Sequence, residues 1–188
     1  MTPKSDHWKR LGITIPHRVF GRGSVHRFSW YFEGRSVVGA HSVQEVCDWL
    51  RTCEYVRDPH LFHEPDYWQH PTTFEQLKRG DCEDHALWAW RKLAEQGIDA
   101  RFVVGRWRQH DSADPGLHAW VFYEQDGASY VMETVTKDDA AMVQELGTVR
   151  DMYSPHFSVD RWYRSQAYEG YLHDLCREVG LAPTAHEH

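Results

Sequence analysis

One stretch of this chain leaves little choice of surroundings. From Ala86 to Glu95 the sequence is strongly helical, and Ala86, Leu87, Trp88, Ala89, Trp90, Leu93 and Ala94 spread apolar side chains nearly all round the axis. A helix apolar on every side must be covered on every side, so the pattern predicts a central helix wrapped by the rest of the protein. Gly97 supplies its stop. Its start carries Gly80-Asp81-Cys82-Glu83-Asp84, which places one cysteine in the first turn.

Other elements are arranged around this helix. Val25 to Val38 alternates Phe28, Trp30 and Phe32 with polar residues, which predicts a strand, turned at Gly34-Arg35 and returning over Ser36 to Ala40. A helix is expected from Val43 to Val56, opened by Ser42 with Glu45 and striped by Val43, Val46, Cys47, Leu50 and Cys53. A loop over 57–71 and a short helix capped by Thr72 with Glu75, ended by Gly80, lead to the cysteine. Strands follow at Ala100–Trp107, His118–Glu124 and Ser129–Val135, the last two joined at Asp126-Gly127, with a loop over His110–Gly116 between the first two. Beyond Lys137 the pattern weakens, although Leu172, Leu175, Cys176 and Val179 suit a helix over Glu169–Val179. The expected architecture is α+β, an antiparallel sheet packed against the cysteine helix. We expect one domain over residues 1–188, with its core at about 25–136, an extension over 137–181 and a frayed tail over 182–188.

Composition removes several classes of function. A formal charge of −7 without a local Lys/Arg cluster argues against nucleic acid. No apolar run is long enough to span a bilayer, and the opening MTPKSDHWKR lacks a secretory core, so a cytoplasmic location is expected. Four cysteines without a C-x-x-C pair do not make a disulfide framework. Cys47 and Cys53 read as buried hydrophobes in one helix, which leaves Cys82 in the reactive setting.

At a helix N-terminus, unpaired N–H groups and the dipole favour thiolate, and the backbone N–H of Cys82 can help hold an oxyanion. His118 opens an apolar strand, and Glu133 lies across the hairpin from it. A thiol, a base and an acid that orients the base make a nucleophilic centre, so Cys82, His118 and Glu133 are the expected triad. His85, three positions along the same helix, is the rival base. Asp81, Glu83 and Asp84 work against the thiolate, although neighbouring side chains fan away from the Cys82 face. Asp81 and Asp84 suit a helix cap, and the three acids together suit Ca²⁺. Trp68 and Gln69, just upstream, can complete an oxyanion hole or simply pack. A metal site at His60, His63, Glu64 and Asp66 finds no supporting helix motif, and a non-catalytic module gripping a partner through its many aromatics is the other rival.

Gly80-Asp81-Cys82-Glu83-Asp84-x-Ala86, His118-Ala119-Trp120-Val121, an acid on the next strand and Asp66-Tyr67-Trp68-Gln69-x-Pro71 together resemble the transglutaminase-like superfamily, in particular its bacterial LapG-type cysteine proteinases. The resemblance spans about Asp66 to Glu133. It implies a papain-like core, Cys82 as nucleophile, His118 as base and Glu133 as acid, where the family usually has Asp. It also implies calcium near the cysteine, with Asp81, Glu83 and Asp84 as ligands. The expected activity is acyl transfer from peptide or glutamine-type amides through a thioester, with no required cofactor and a protein or peptide as substrate. Hydrolysis, crosslinking and deamidation all share that intermediate, and the oligomeric state is open.

Overall fold

The structure, a computed structural model, describes residues 20–108 and 116–168. The expected loop over His110–Gly116, the helix over Glu169–Val179 and the tail lie largely or wholly outside them. In chain order the elements are α1 (Val43–Arg51), β1 (Glu54–Tyr55), α2 (Asp58–Leu61), α3 (Pro71–Leu77), β2 (Arg79–Gly80), α4 (Cys82–Glu95), β3 (Asp99–Trp107), β4 (Gly116–Gln125), β5 (Ala128–Met132), α5 (Asp139–Met142), β6 (Val143–Glu145), α6 (Leu146–Val149), β7 (Tyr153–Asp160) and β8 (Ser165–Ala167). Six strands form one antiparallel sheet in the order β6-β5-β4-β3-β7-β8, and β1 pairs with β2 in parallel. Among the described residues no helix is long and apolar enough to cross a membrane.

Helix α4 is buried from Glu83 through Leu93, as its apolar pattern requires. It packs against the sheet face carrying Ala119, Val121, Phe102 and Phe157. Val103, Trp120, Phe122, Val131 and Tyr153 form a second cluster with Leu146 and Val149 of α6. The buried face of α4 also includes two cations. Arg91 donates to the carbonyls of Tyr31, Glu33 and Gly34, and Lys92 to that of Val38 and to Ser36. Lys92 also lies 3.3 Å from Glu75, whose oxygens accept from Trp88 Nε1 at 2.9 Å and Val37 N at 3.0 Å.

Those contacts correct the expectation of strands between Val25 and Ala40. Phe28–Phe32 is a 3₁₀ helix, and no strand forms over 36–40. The carbonyls that would have joined a ladder are taken by Arg91 and Lys92, so the backbone is satisfied without a partner strand. Phe28 and Tyr31, three apart, are the buried pair, which is the 3₁₀ spacing.

Smaller corrections have local causes. Helix α1 stops at Arg51, so Cys53 lies beyond it, though both Cys47 and Cys53 are buried. Helix α3 is capped by His70, whose side chain accepts from Thr72 N, with Pro71 in the first turn. It ends at Lys78 in the left-handed region (φ 51°), not at Gly80. Glu75 is the partner of Lys92 instead of a cap. Strand β5 ends at Met132, so Glu133 lies one residue past it.

Candidate active site

Asp81 and Asp84 form a reciprocal capping box that fixes the start of α4. Asp84 Oδ2 accepts from Asp81 N at 3.2 Å and from Gln69 Nε2 at 2.5 Å, while Oδ1 accepts from Gln69 N at 2.7 Å. Gln69 Nε2 also donates to the Arg79 carbonyl at 2.9 Å. The loop before α3 is thereby tied to the helix start. Gly80 is squeezed between them: a Cβ there would come within 2.6 Å of Gln69 Nε2 and closer still to Asp84.

Cys82 is the first residue of α4 and is partly exposed. Its thiol donates to Glu83 Oε2 at 3.2 Å, and the backbone N–H of Ala119 is directed at the sulfur. Ala119 lies beyond the end of the β4–β5 ladder, whose last pair is Val121 with Met132. Burial first, then the charges of Glu83 and Asp81, push the thiol well above its ordinary range; the Ala119 N–H opposes them. These effects work against the thiolate that the helix start was expected to favour. The Glu83 side chain turns to the sulfur instead of fanning away.

His118 and Glu133 meet at the same end of the sheet. His118, on β4, is 8% exposed and Glu133 is 4% exposed. His118 Nε2 lies 2.8 and 2.9 Å from the two Glu133 oxygens. With Nε2–H donated to the carboxylate, Nδ1 is the nitrogen left to accept a proton. Among the described residues no hydrogen bond joins Cys82 to His118; the residue beside His118, Ala119, is near the sulfur. Trp107 and Trp120 lie over the imidazole, at ring separations of 5.1 and 6.2 Å. Tyr153 donates to Glu133 Oε2 at 3.2 Å.

The rival base is differently placed. His85 is fully buried, its Nδ1–H donates to the Asp81 carbonyl at 2.8 Å, and Phe74 packs on its ring at 4.7 Å. Burial lowers its pKa to about 4, so it stays neutral.

Neither expected oxyanion donor is free. Trp68 Nε1 donates to Asp66 Oδ1 at 2.9 Å, and the ring packs against Phe102 in the core. The Gln69 amide is spent on Asp84 and Arg79. Of the two readings given for these residues, packing describes their contacts. Tyr55, opposite Gly80 in the β1–β2 pair, is a phenol near Cys82. Its pKa is pushed up to about 12, by burial first and then by Cys82 and Asp81.

The acids near Cys82 extend further than the sequence suggested. Asp58, from α2, and Asp66 join Asp81, Glu83 and Asp84 in groups compact enough to hold a cation. Asp58 is pushed up to about 7 by burial, and burial likewise raises Asp81, Glu83 and Asp84, with neighbouring carboxylates adding to it. Asp58 Oδ1 and Asp81 Oδ1 are buried without a partner. An all-oxygen set with orphaned buried oxygens fits a hard cation. Asp58, Asp66 and Glu83 form one such group, and Asp58, Asp81 and Asp84 another, Asp84 also serving the cap. His60, His63 and Glu64 belong to no such group among the described residues.

Three neighbours of the site escaped sequence analysis. Tyr153 lies in a strand the pattern did not reveal, Tyr55 in a two-residue strand, and Asp58 behind an Asp-Pro dipeptide that reads as a turn.

The pattern of the transglutaminase-like superfamily matches residues 35–134. A comparison with curated proteins finds no match. Among solved structures, LapG from Legionella pneumophila is similar, with a TM-score of 0.50 and 17% identity over 74% of this chain and 74% of that one. Its calcium-bound form gives a TM-score of 0.51 and 16% identity over 73% and 78%. At these identities the likeness is one of fold.

Proposed function

Because the chain belongs to the transglutaminase-like superfamily, we propose that it is a cysteine-dependent acyl-transfer enzyme acting on peptide or glutamine-type amides. The observation that carries this reading is the clasp of His118 by both oxygens of Glu133, one residue from the Ala119 N–H that faces the Cys82 sulfur. In this mechanism Nδ1 of His118 takes the thiol proton while Nε2–H stays with Glu133, which stabilises the imidazolium without accepting its proton. The thiolate forms a C–S bond to the amide carbon, and the departing nitrogen collects the proton from His118. Water or an amine then breaks the thioester, giving hydrolysis or transfer. The Cys82 N–H, unused by the helix at its first position, is available to the oxyanion. For attack, the thiol proton must leave Glu83 for His118, so a rotation at Cys82 or Glu83 precedes chemistry.

A calcium ion held by one of these acid groups would offset the negative charge that now opposes the thiolate. The relative whose calcium-bound form is similar in fold supports considering that ion here.

The test is covalent trapping with a library of peptide and glutaminyl acyl donors, read by intact mass. A thioester adduct is expected in the wild type and none in Cys82→Ala or His118→Ala. Glu133→Gln should form it slowly, because the acid orients the base without exchanging the proton. If His118→Ala reacted normally and His85→Ala did not, the assignment of the base would be overturned.

A further inference from the structure

We propose that Tyr153 is a positioning residue of this centre, its hydroxyl holding the Glu133 carboxylate in the orientation that His118 requires. The proposal rests on the reading of His118 and Glu133 as base and acid. Tyr153 opens β7 and is 3% exposed, and its Oη donates to Glu133 Oε2 at 3.2 Å. The direction of that bond is fixed by its surroundings. Trp107 lies opposite Tyr153 in the β3–β7 ladder, so the neighbouring side chain there is an indole. An indole offers only a donor, so the carboxylate is the acceptor for the phenol proton. Burial and the charge of Glu133 both oppose ionisation of the phenol, which keeps it a donor.

The length of the acid explains the need for such a donor. A glutamate has one more rotatable bond than an aspartate, and each free bond spreads the carboxylate over further positions. His118 engages both oxygens, at 2.8 and 2.9 Å, and so requires one carboxylate orientation. Tyr153 holds Oε2, while Val135 N lies 3.4 Å from Oε1. Trp107 and Trp120 restrict the imidazole plane over the same cluster. The residue that steadies the acid thus comes from a strand beyond residues 35–134, the part matching the family pattern.

Two readouts test this without a known substrate. One is the rate at which iodoacetamide alkylates Cys82 at neutral pH, followed by intact mass. The other is the NMR signal of His118 Nε2–H, assigned by its disappearance in His118→Ala. Tyr153→Phe should slow alkylation about tenfold, the loss for one hydrogen bond to a charged group. It should also lose the Nε2–H signal to solvent exchange. Tyr123→Phe, which removes a buried phenol packed on Tyr130, should change neither. In Glu133→Ala, adding Tyr153→Phe should cost nothing more. A wild-type rate with the signal intact in Tyr153→Phe would overturn the proposal, and so would an equal loss with and without Glu133. If His118→Ala were alkylated at the wild-type rate, the catalytic reading would fall, while the Nε2–H signal would still decide whether Tyr153 holds Glu133.

Discussion

The Cys82 thiol and the Glu83 carboxylate are hydrogen-bonded at 3.2 Å, so the residue that follows the candidate nucleophile holds its proton at rest. Burial and this neighbour both favour the thiol form. Replacing Glu83 with Gln removes the negative charge and keeps the size. The pH profile of Cys82 alkylation should move to lower pH, and the rate at neutral pH should rise several-fold. An unchanged profile would mean that burial alone governs the thiol.

The acid cluster predicts how stability varies with pH. Asp58, pushed up to about 7, and the raised Asp81, Glu83 and Asp84 all bind protons more tightly folded than unfolded. Their contribution is complete below the ordinary carboxylate range and is lost as pH rises through the folded values. His85 acts oppositely, since its depressed value, about 4, costs stability as pH falls below 6.5. His70, also lowered by burial, acts as His85 does. With four groups against two, melting temperature in EGTA should fall between pH 5 and pH 8. Calcium should flatten that slope by binding the folded, deprotonated form. Superimposable melts with and without calcium would remove the ion from the account.

Gly80→Ala tests the joint between the loop and helix α4. The added methyl group runs into Asp84 and into Gln69 Nε2 at 2.6 Å, two groups that already satisfy each other. The expected cost is about 1–3 kcal/mol, or roughly 2–12 °C in melting temperature for a chain of this size. Calorimetry measures it, and a neutral result would mean that this joint yields without cost.

Lys92 and Glu75 are a buried pair, with side chains 2% and 0% exposed. Burial works against the Glu75 anion, but Ser36, Trp88, Val37 and Lys92 outweigh it and hold its carboxyl below the usual range. Lys92→Met strands that anion and should cost about 3–5 kcal/mol in urea denaturation. Lys92→Met with Glu75→Gln should recover part of the loss. Because the Glu75 value is depressed, its share of stability is present above the ordinary carboxylate pKa and disappears as pH falls through the folded value.

What the sequence revealed depended on whether a local signal had a local cause. Helix α4, strands β3 to β5 and the capping role of Asp84 follow from periodicity, turns and cap chemistry within a few residues. The segment at Phe28–Phe32 misled because its carbonyl partners, on Arg91 and Lys92, lie about sixty residues away. Strand β7 was hidden by Pro155, which breaks the usual grammar of an interior strand. The structure accommodates that proline at a register shift opposite Gly105, where a Cβ would come within 2.8 Å of Pro155 Cα. Among the described residues β8 pairs with Phe157 to Val159, short of Pro155. With β7 unseen, Tyr153 could not be placed beside Glu133.

The strand order β6-β5-β4-β3-β7-β8 has a consequence for biogenesis. A ribosome makes β3, β4 and β5 in succession, so these hairpins can close as soon as they emerge. The opposite edge of β3 must wait for Tyr153–Asp160, some fifty residues later. Until then the long central strand presents an open flank, and Glu133 lacks one of its donors. A nascent chain halted before Tyr153 would therefore carry Cys82, His118 and Glu133 without the strand that completes their setting. The setting of Glu133 would be completed only once Tyr153 has been made.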